Sequence, residues 1–474
     1  MYPQESLKEL EEQIRIDFEN ANFPPKNWII EETNHEIPIA IIGAGMSALC
    51  LSLALKAQGI PSILFEKKKE GDEGPWKEPA LMQTLRSPKN LTGPALISPS
   101  LTFQAWFKAQ FGHQAWESLD KIPRLQWDEY LKWFKKITQP TVYYESELVD
   151  LHIADQLTEI TIRHSDQDKI YHVVHCVLAM GIDSFSSPNI PELVQNIPNY
   201  LWQHNYDTTN YECFKGLNIA VIGASAGAMD SAATALEHGA KSVEIICRCN
   251  DFPRVNRSKS ASNVGYFAFY PEWSDQEKWD FQTYLRKEGT PAPHRSVLRV
   301  AKHKNAYFNF SETLQNITFE NQKLYLSTKN SRFVVDRLIF ATGFKINWHK
   351  HEWLYRFSQH IKIWRDINIQ QEKNLDLENY PYLTKDFEFI HKNSNESYSI
   401  YCFNYASALS QGPLVGMISG LSHGAMILAE AITRKYYKRQ LKEQIQLIKE
   451  SRDFELNGDE WCIDQKYRET KICK

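Results

Sequence analysis

The chain has 474 residues, of which 42% are hydrophobic and 24% charged, and its formal net charge is −4. Length and composition suit a globular protein of about three domains, and the charge balance gives no general pull toward nucleic acid or a membrane surface. The eight cysteines (Cys50, Cys176, Cys213, Cys247, Cys249, Cys402, Cys462 and Cys473) form no C-x-x-C pair and have no histidine at zinc spacing, which argues against a metal cluster or a redox dithiol.

The opening "ESLKELEEQIRIDFENANFP" is charged throughout, unlike a secretory signal. No run approaches the ~20 apolar residues of a membrane span. A cytoplasmic setting with reduced thiols is expected. Leu7, Leu10, Ile14 and Phe18 repeat at helical spacing and predict a packing arm within residues 1–36. "IPIAIIGAGMSALCLSLALKAQGI" (37–60) predicts a buried strand, a glycine turn and an apolar helix, and "PSILFEKKK" (61–69) a second strand, which completes a βαβ unit.

Residues 71–99 are irregular and rich in Pro and Gly, yet hold Trp76, Leu81, Met82 and Leu85. Such a segment inside a compact domain is usually functional. Helices follow over 101–137, then strands near 141–152, 158–164 and 170–179. The proline-punctuated stretch 184–198 marks a boundary. A second βαβ unit runs from 217: "LNIAVIG", "AGAMDSAATALEHGA" and "SVEIIC". A polar loop (248–263), strands near 314–335, "RLIFATGF" and a long helix over about 414–450 complete the chain. The expected fold is α/β, with two Rossmann-like dinucleotide-binding domains. The first is discontinuous (37–185 and 336–474), and the second (186–335) is inserted into it.

In the first unit, Gly43 permits a tight turn, Gly45 lets backbone approach a pyrophosphate, and Ala48 lets helix pack on strand. The helix N-terminus supplies free N–H groups for phosphate. Glu66, at the end of the next strand, is placed to bind ribose hydroxyls. The second unit keeps Gly223 and Gly227 but has Ser225 at the close-approach position. Its second strand ends in Arg248, which can pair with a 2′-phosphate that an acid would repel. Arg254, Arg257 and Lys259 follow in the polar loop, placed to close over that phosphate. The first site therefore suits a cofactor lacking a 2′-phosphate, and the second NADPH.

Gly223-Ala-Ser225-Ala-Gly227 also fits G-x-S-x-G, the turn that presents a hydrolase serine. No HGGG-like loop precedes it, and a hydrolase has no use for the duplicated unit or for Arg248. Ala341-Thr342-Gly343 and Ala179-Met180-Gly181 each close a buried strand, where small residues let the chain pass close to a bound cofactor.

This order of motifs resembles the class B flavoprotein monooxygenases, which include flavin-containing and Baeyer–Villiger monooxygenases. The resemblance covers about 37–345 and implies FAD on the first turn and NADPH on the second. It also implies Glu66 and Lys67 at the FAD ribose, Trp76 in a turn near the flavin, Leu148 on the FAD side, and Gly343 beside the cofactors. "SQGPLVGMISG" resembles the closing segment, in which Gly412 and Pro413 start a helix facing the flavin. One departure is "NIPNYLWQHNYD", which offers His204 without the family's preceding glycine.

The implied reaction has two stages: NADPH reduces FAD, and reduced flavin forms a C4a-(hydro)peroxide with O2 that oxygenates a small molecule at nitrogen, sulfur or a ketone. Arg86, in the irregular segment, is the expected catalytic contact. A flavin reductase or oxidase and a non-catalytic flavin-binding protein are the alternatives. No metal and no nucleic-acid partner are expected, and the pattern specifies no oligomeric state.

Overall fold

The computed structural model describes residues 6–30, 36–154, 157–369, 374–458 and 460, so Cys462 and Cys473 lie outside the described residues. Strand Ile37–Ile42 is flanked in parallel by Ile63–Phe65 on one side and by Gln167–Leu178 on the other. Thr141–Tyr143 extends the first edge and Ser397–Cys402 the second, again in parallel. Ser146–Ile153 and Thr158–His164 add an antiparallel meander to Gln167–Leu178. The run Ile39–Ile42 is buried on both faces, as expected for a parallel sheet covered by helices. Helix Met46–Ala57 is buried continuously from Ala48 to Leu55 and packs against helix Leu421–Arg439. A helix that is apolar all round needs such cover.

A second sheet is wholly parallel, in the order Ala306–Asn309, Ser242–Ile246, Asn218–Ile222, Arg337–Phe340 and Trp202–His204. The three strands expected near 314–335 form a separate antiparallel sheet, Leu314–Glu320, Lys323–Thr328 and Arg332–Val335. Between the two large sheets, outgoing strand Ser186–Pro188 pairs antiparallel with returning strand Phe344–Ile346. Arg337–Phe340 thus belongs to the second sheet, although the expected boundary at 335/336 puts it in the first unit. Its buried apolar residues complete the parallel layer beside Asn218–Ile222 before the chain returns.

The N-terminal arm is helix Leu7–Asn20, opened by a Ser6/Glu9 capping box. Buried Ile14 and bonds from Trp133 Nε1 to Glu11 (3.1 Å) and from Ser100 Oγ to Asp17 (2.8 Å) hold it to the body. At the other end the expected long helix is divided. Gly412–Leu414 is a three-residue 3-10 turn that ends at extended Val415, and regular helix starts only at Leu421. Helices Leu421–Arg439 and Leu441–Glu450 are separate. Gly412 and Pro413 therefore do not start that helix; the extended backbone at Val415 interrupts the ladder a helix would need.

Candidate functional site

Both glycine turns sit at the carboxyl ends of central parallel strands, where ligands bind in open α/β sheets. At the first, Gly43 N–H donates to Phe65 O (2.7 Å), and Ala179 N–H donates to Ile42 O (2.9 Å), which brings the end of Gln167–Leu178 across the turn. Gly43 has φ +105°, and a β-carbon there would stand 2.8 Å from Ala179 O. A β-carbon on Gly45 would meet nothing within 4 Å, so the space above the turn is open. Gly45 opens helix Met46–Ala57 with no side-chain cap, which leaves first-turn N–H groups for a phosphate.

Glu66 is 7% exposed. Its carboxylate accepts from Ala44 N–H (2.8 Å) and Lys68 N–H (3.0 Å), which fixes it against the turn with lone pairs to spare for ribose hydroxyls. Trp76 joins Gly45, Met46, Asp128, Lys132 and Lys135 around one cavity at this turn. Lys67 is exposed and lines a neighbouring cleft with Glu147 and Tyr206. Leu148 is packed in the hydrophobic core beneath, opposite Ile162 in the antiparallel meander, so its side chain is not presented to the cleft.

The second turn repeats the first. Gly223 N–H donates to Ile246 O (3.0 Å), and Ala341 N–H to Ile222 O (2.9 Å). Ser225 is exposed and heads helix Ala226–Glu237 without a capping bond. Among the described residues no histidine or carboxylate bonds to Ser225, so the hydrolase reading has no base. Gly227 lies against Asn205, whose Nδ2 would be 2.6 Å from an added β-carbon.

Arg248 follows strand Ser242–Ile246 and is exposed, with no salt bridge to a described residue. Arg254 is different: its guanidinium pairs with Asp251 at 2.6 Å. Arg257 pairs with Glu288 at 3.0 Å and opens the short helix Arg257–Ser260. Of the four cations expected to close on a 2′-phosphate, Arg248 and Lys259 are exposed and in no ion pair with a described residue, whereas Arg254 and Arg257 are each paired with an acid.

Arg86 donates from Nη2 to Pro291 O at 2.9 Å and so bridges from the irregular segment to the region before helix His294–Ala301. His204 is 1% exposed and its ring stands edge-on to Phe344, 5.2 Å between centroids. Burial lowers its pKa and favours the neutral ring. Gly343 has φ +78° and lies between the second sheet and the returning strand, whereas Gly412 packs under the Tyr270 ring.

The reading of the sequence missed Arg299 and Arg124. Arg299 pairs with Asp230 (3.2 Å) and Glu237 (2.8 Å) on the helix of the second turn. Burial raises the Asp230 carboxyl above its ordinary range, against the pull of Ser296 and Arg299. Arg124 donates to the carbonyls of Trp76, Lys77 and Met82. Neither arginine sits in a local motif; their partners come from distant segments.

Two duplicated glycine turns, each at the end of a parallel strand in its own sheet, one backed by an acid and the other by an arginine, define a two-dinucleotide-domain flavoprotein. The family model described as L-lysine 6-monooxygenase/L-ornithine 5-monooxygenase matches residues 34–346. The chain belongs to that family, and it is a flavoprotein monooxygenase. It is 26% identical over 442 residues to an FAD-dependent urate hydroxylase of Xanthomonas campestris pv. campestris, spanning 91% of this chain and 93% of the relative. Its fold matches an ornithine N-hydroxylase of Kutzneria sp. 744, described with reduced FAD, NADP+ and L-ornithine, at a TM-score of 0.67 and 14% identity, over 84% of this chain and 99% of that one. It also matches a cadaverine monooxygenase of Erwinia amylovora described as bound to FAD, at a TM-score of 0.66 and 12% identity, over 85% and 95% of the two chains. Among the described residues no helix is long and apolar enough to cross a membrane.

Proposed function

We propose that this monooxygenase binds FAD at Gly43–Ala48 and NADPH at Gly223–Gly227, and oxygenates a small nitrogen-bearing molecule. The supporting observation is the contrast between the two turns: Glu66 is seated at the first, and Arg248 stands free beyond the second. The family description names lysine and ornithine, and the long relative acts on urate; all three offer nitrogen-bearing centres. Bound FAD supplies the redox chemistry that activates O2. The chain binds, orients and excludes water. Glu66 holds the FAD ribose, the uncapped N–H groups at Gly45 hold its pyrophosphate, and Trp76 covers that turn. Lys67 and the Leu148 backbone flank the adenosine side. Ser225 lies beside the NADPH pyrophosphate, Arg248 pairs with its 2′-phosphate, and Arg254 joins when released from Asp251. Gly343 borders the space between the two cofactors, Gly412 shapes the closing segment beneath the Tyr270 ring, and Arg86 faces the reacting centre from the irregular segment.

The division into binding units that we favour falls at the ribbon of Ser186–Pro188 with Phe344–Ile346. The test is to incubate purified protein with FAD, NADPH and, in turn, urate, L-ornithine and L-lysine. One substrate should raise NADPH consumption and yield a stoichiometric hydroxylated product. NADPH consumption that gives only hydrogen peroxide with every nitrogen-bearing compound tried would favour a reductase or oxidase. Arg86→Ala should lower this coupling, and unchanged coupling would remove Arg86 from the site.

A further inference from the structure

Two arginines from different parts of the chain hold successive carbonyls of the irregular segment. Arg124, on helix Arg124–Thr138, donates from Nε to Met82 O at 2.9 Å. Arg299, on helix His294–Ala301, donates from Nη1 to Leu81 O at 3.4 Å. The same guanidinium pairs with Asp230 Oδ1 at 3.2 Å and with Glu237 Oε2 at 2.8 Å. Both acids lie on helix Ala226–Glu237, which begins at the second phosphate turn. Leu81 lies a few residues past Trp76, which lines the cavity at the first turn. One planar fork therefore joins the second turn's helix to the segment over the first.

The setting makes the junction stiff. The Arg299 side chain is 11% exposed and that of Asp230 8%. Charge-assisted bonds with two carboxylates hold a guanidinium in one orientation. Arg86 crosses the same seam with its bond to Pro291 O. Transfer between two bound rings depends steeply on their separation, and a misplacement of about 1 Å can cost about 100-fold in rate.

We propose that Arg299 is a positioning residue: through Asp230, Glu237 and the Leu81 carbonyl it fixes the second dinucleotide turn against the segment that lines the first, and so sets the spacing at which NADPH reduces FAD. This rests on the two-cofactor reading above. Arg299→Lys keeps the charge opposite both acids but lacks the fork needed to reach both acids and Leu81 O together.

The experiment is anaerobic mixing of the FAD-loaded protein with increasing NADPH, followed by absorbance. A second measurement is O2 reoxidation of the dithionite-reduced protein. For Arg299→Lys the limiting rate of flavin bleaching should fall by about 10- to 100-fold. The apparent NADPH dissociation constant should change less than about 3-fold, and reoxidation should keep its rate, because neither depends on ring alignment. A limiting rate equal to that of the parent, or a loss confined to NADPH affinity, overturns the proposal. If Arg299→Lys does not hold FAD, the double variant Arg299→Gln/Glu237→Gln, which removes a charge of each sign, is measured against the same two outcomes. Parent protein that NADPH does not bleach contradicts the two-cofactor reading itself, a different result from a parent and variant that bleach alike.

Discussion

Gly223 and Ala341 stand so close that a β-carbon on the glycine would lie 2.5 Å from the alanine carbonyl oxygen. Gly43 and Ala179 repeat the relationship at 2.8 Å. In each case a later strand of the sheet delivers a small-residue crossover onto a phosphate turn, so the turn is held from below while its upper side stays open. The duplication in the sequence is thus a duplication of packing, and it makes each turn sensitive to a single methyl group.

Gly223→Ala adds a β-carbon into that contact at φ +141°. The strain, of order 1–3 kcal/mol, has to be relieved by moving the turn. The variant should remain yellow, because the first turn is untouched, while its KM for NADPH rises at least about 10-fold. Titration of FAD content and steady-state NADPH kinetics check both halves.

Arg248→Gln removes the cation we assign to the 2′-phosphate. Hydrogen bonds to a charged group contribute about 1.5–3 kcal/mol, so the KM for NADPH should rise by about 10- to 100-fold. The KM for NADH should move little, and the cofactor preference should shrink accordingly. Parallel kinetics with both nucleotides provide the check. Arg254→Gln should have the smaller effect, because Arg254 is already paired with Asp251.

Ser225→Ala leaves the phosphate turn its backbone N–H groups. NADPH-dependent activity should stay within about 10-fold of the parent, as for the loss of one neutral hydrogen bond at most. A fluorophosphonate should not label the parent at Ser225, as followed by intact-protein mass spectrometry. Labelling there with loss of activity would restore the hydrolase reading.

His175 is buried, with its Nδ1 3.0 Å from Tyr401 Oη. Burial, with Lys435 and Arg439 nearby, lowers its pKa to about 3 from an ordinary value of 6.5. Between those values the unfolded chain binds the proton and the folded one does not, so stability rises with pH across the window. The contribution is complete above about pH 6.5 and is lost as pH falls toward about 3. His175→Gln should flatten the dependence of Tm on pH between about 4 and 6.5 relative to the parent. Equal slopes in a folded variant would contradict the assignment.

The sequence made the two βαβ units legible because both are local: a buried strand, a small-residue turn and an apolar helix follow in order. Gly43, Glu66, Gly223 and Arg248 all fall at the positions that this order predicts. The two crossovers at Ala179 and Ala341 were also visible as small residues closing buried strands. The error at Gly412 arose from reading one apolar run as one helix; the 3-10 turn and extended Val415 are set by how that loop packs, not by periodicity. The pairing of Arg254 with Asp251 shows that a run of cations does not say which are free. Arg299 was invisible because its contacts, at Leu81 and at Asp230, Thr234 and Glu237, come from segments brought together only by the fold.

The most direct test of the central claim is an anaerobic absorbance trace of the purified protein mixed in turn with NADPH and NADH. Two differentiated dinucleotide sites predict a flavin spectrum that NADPH bleaches far faster than NADH. Equal rates would contradict the role of Arg248, and a colourless protein that takes up no FAD would contradict the assignment of the first turn.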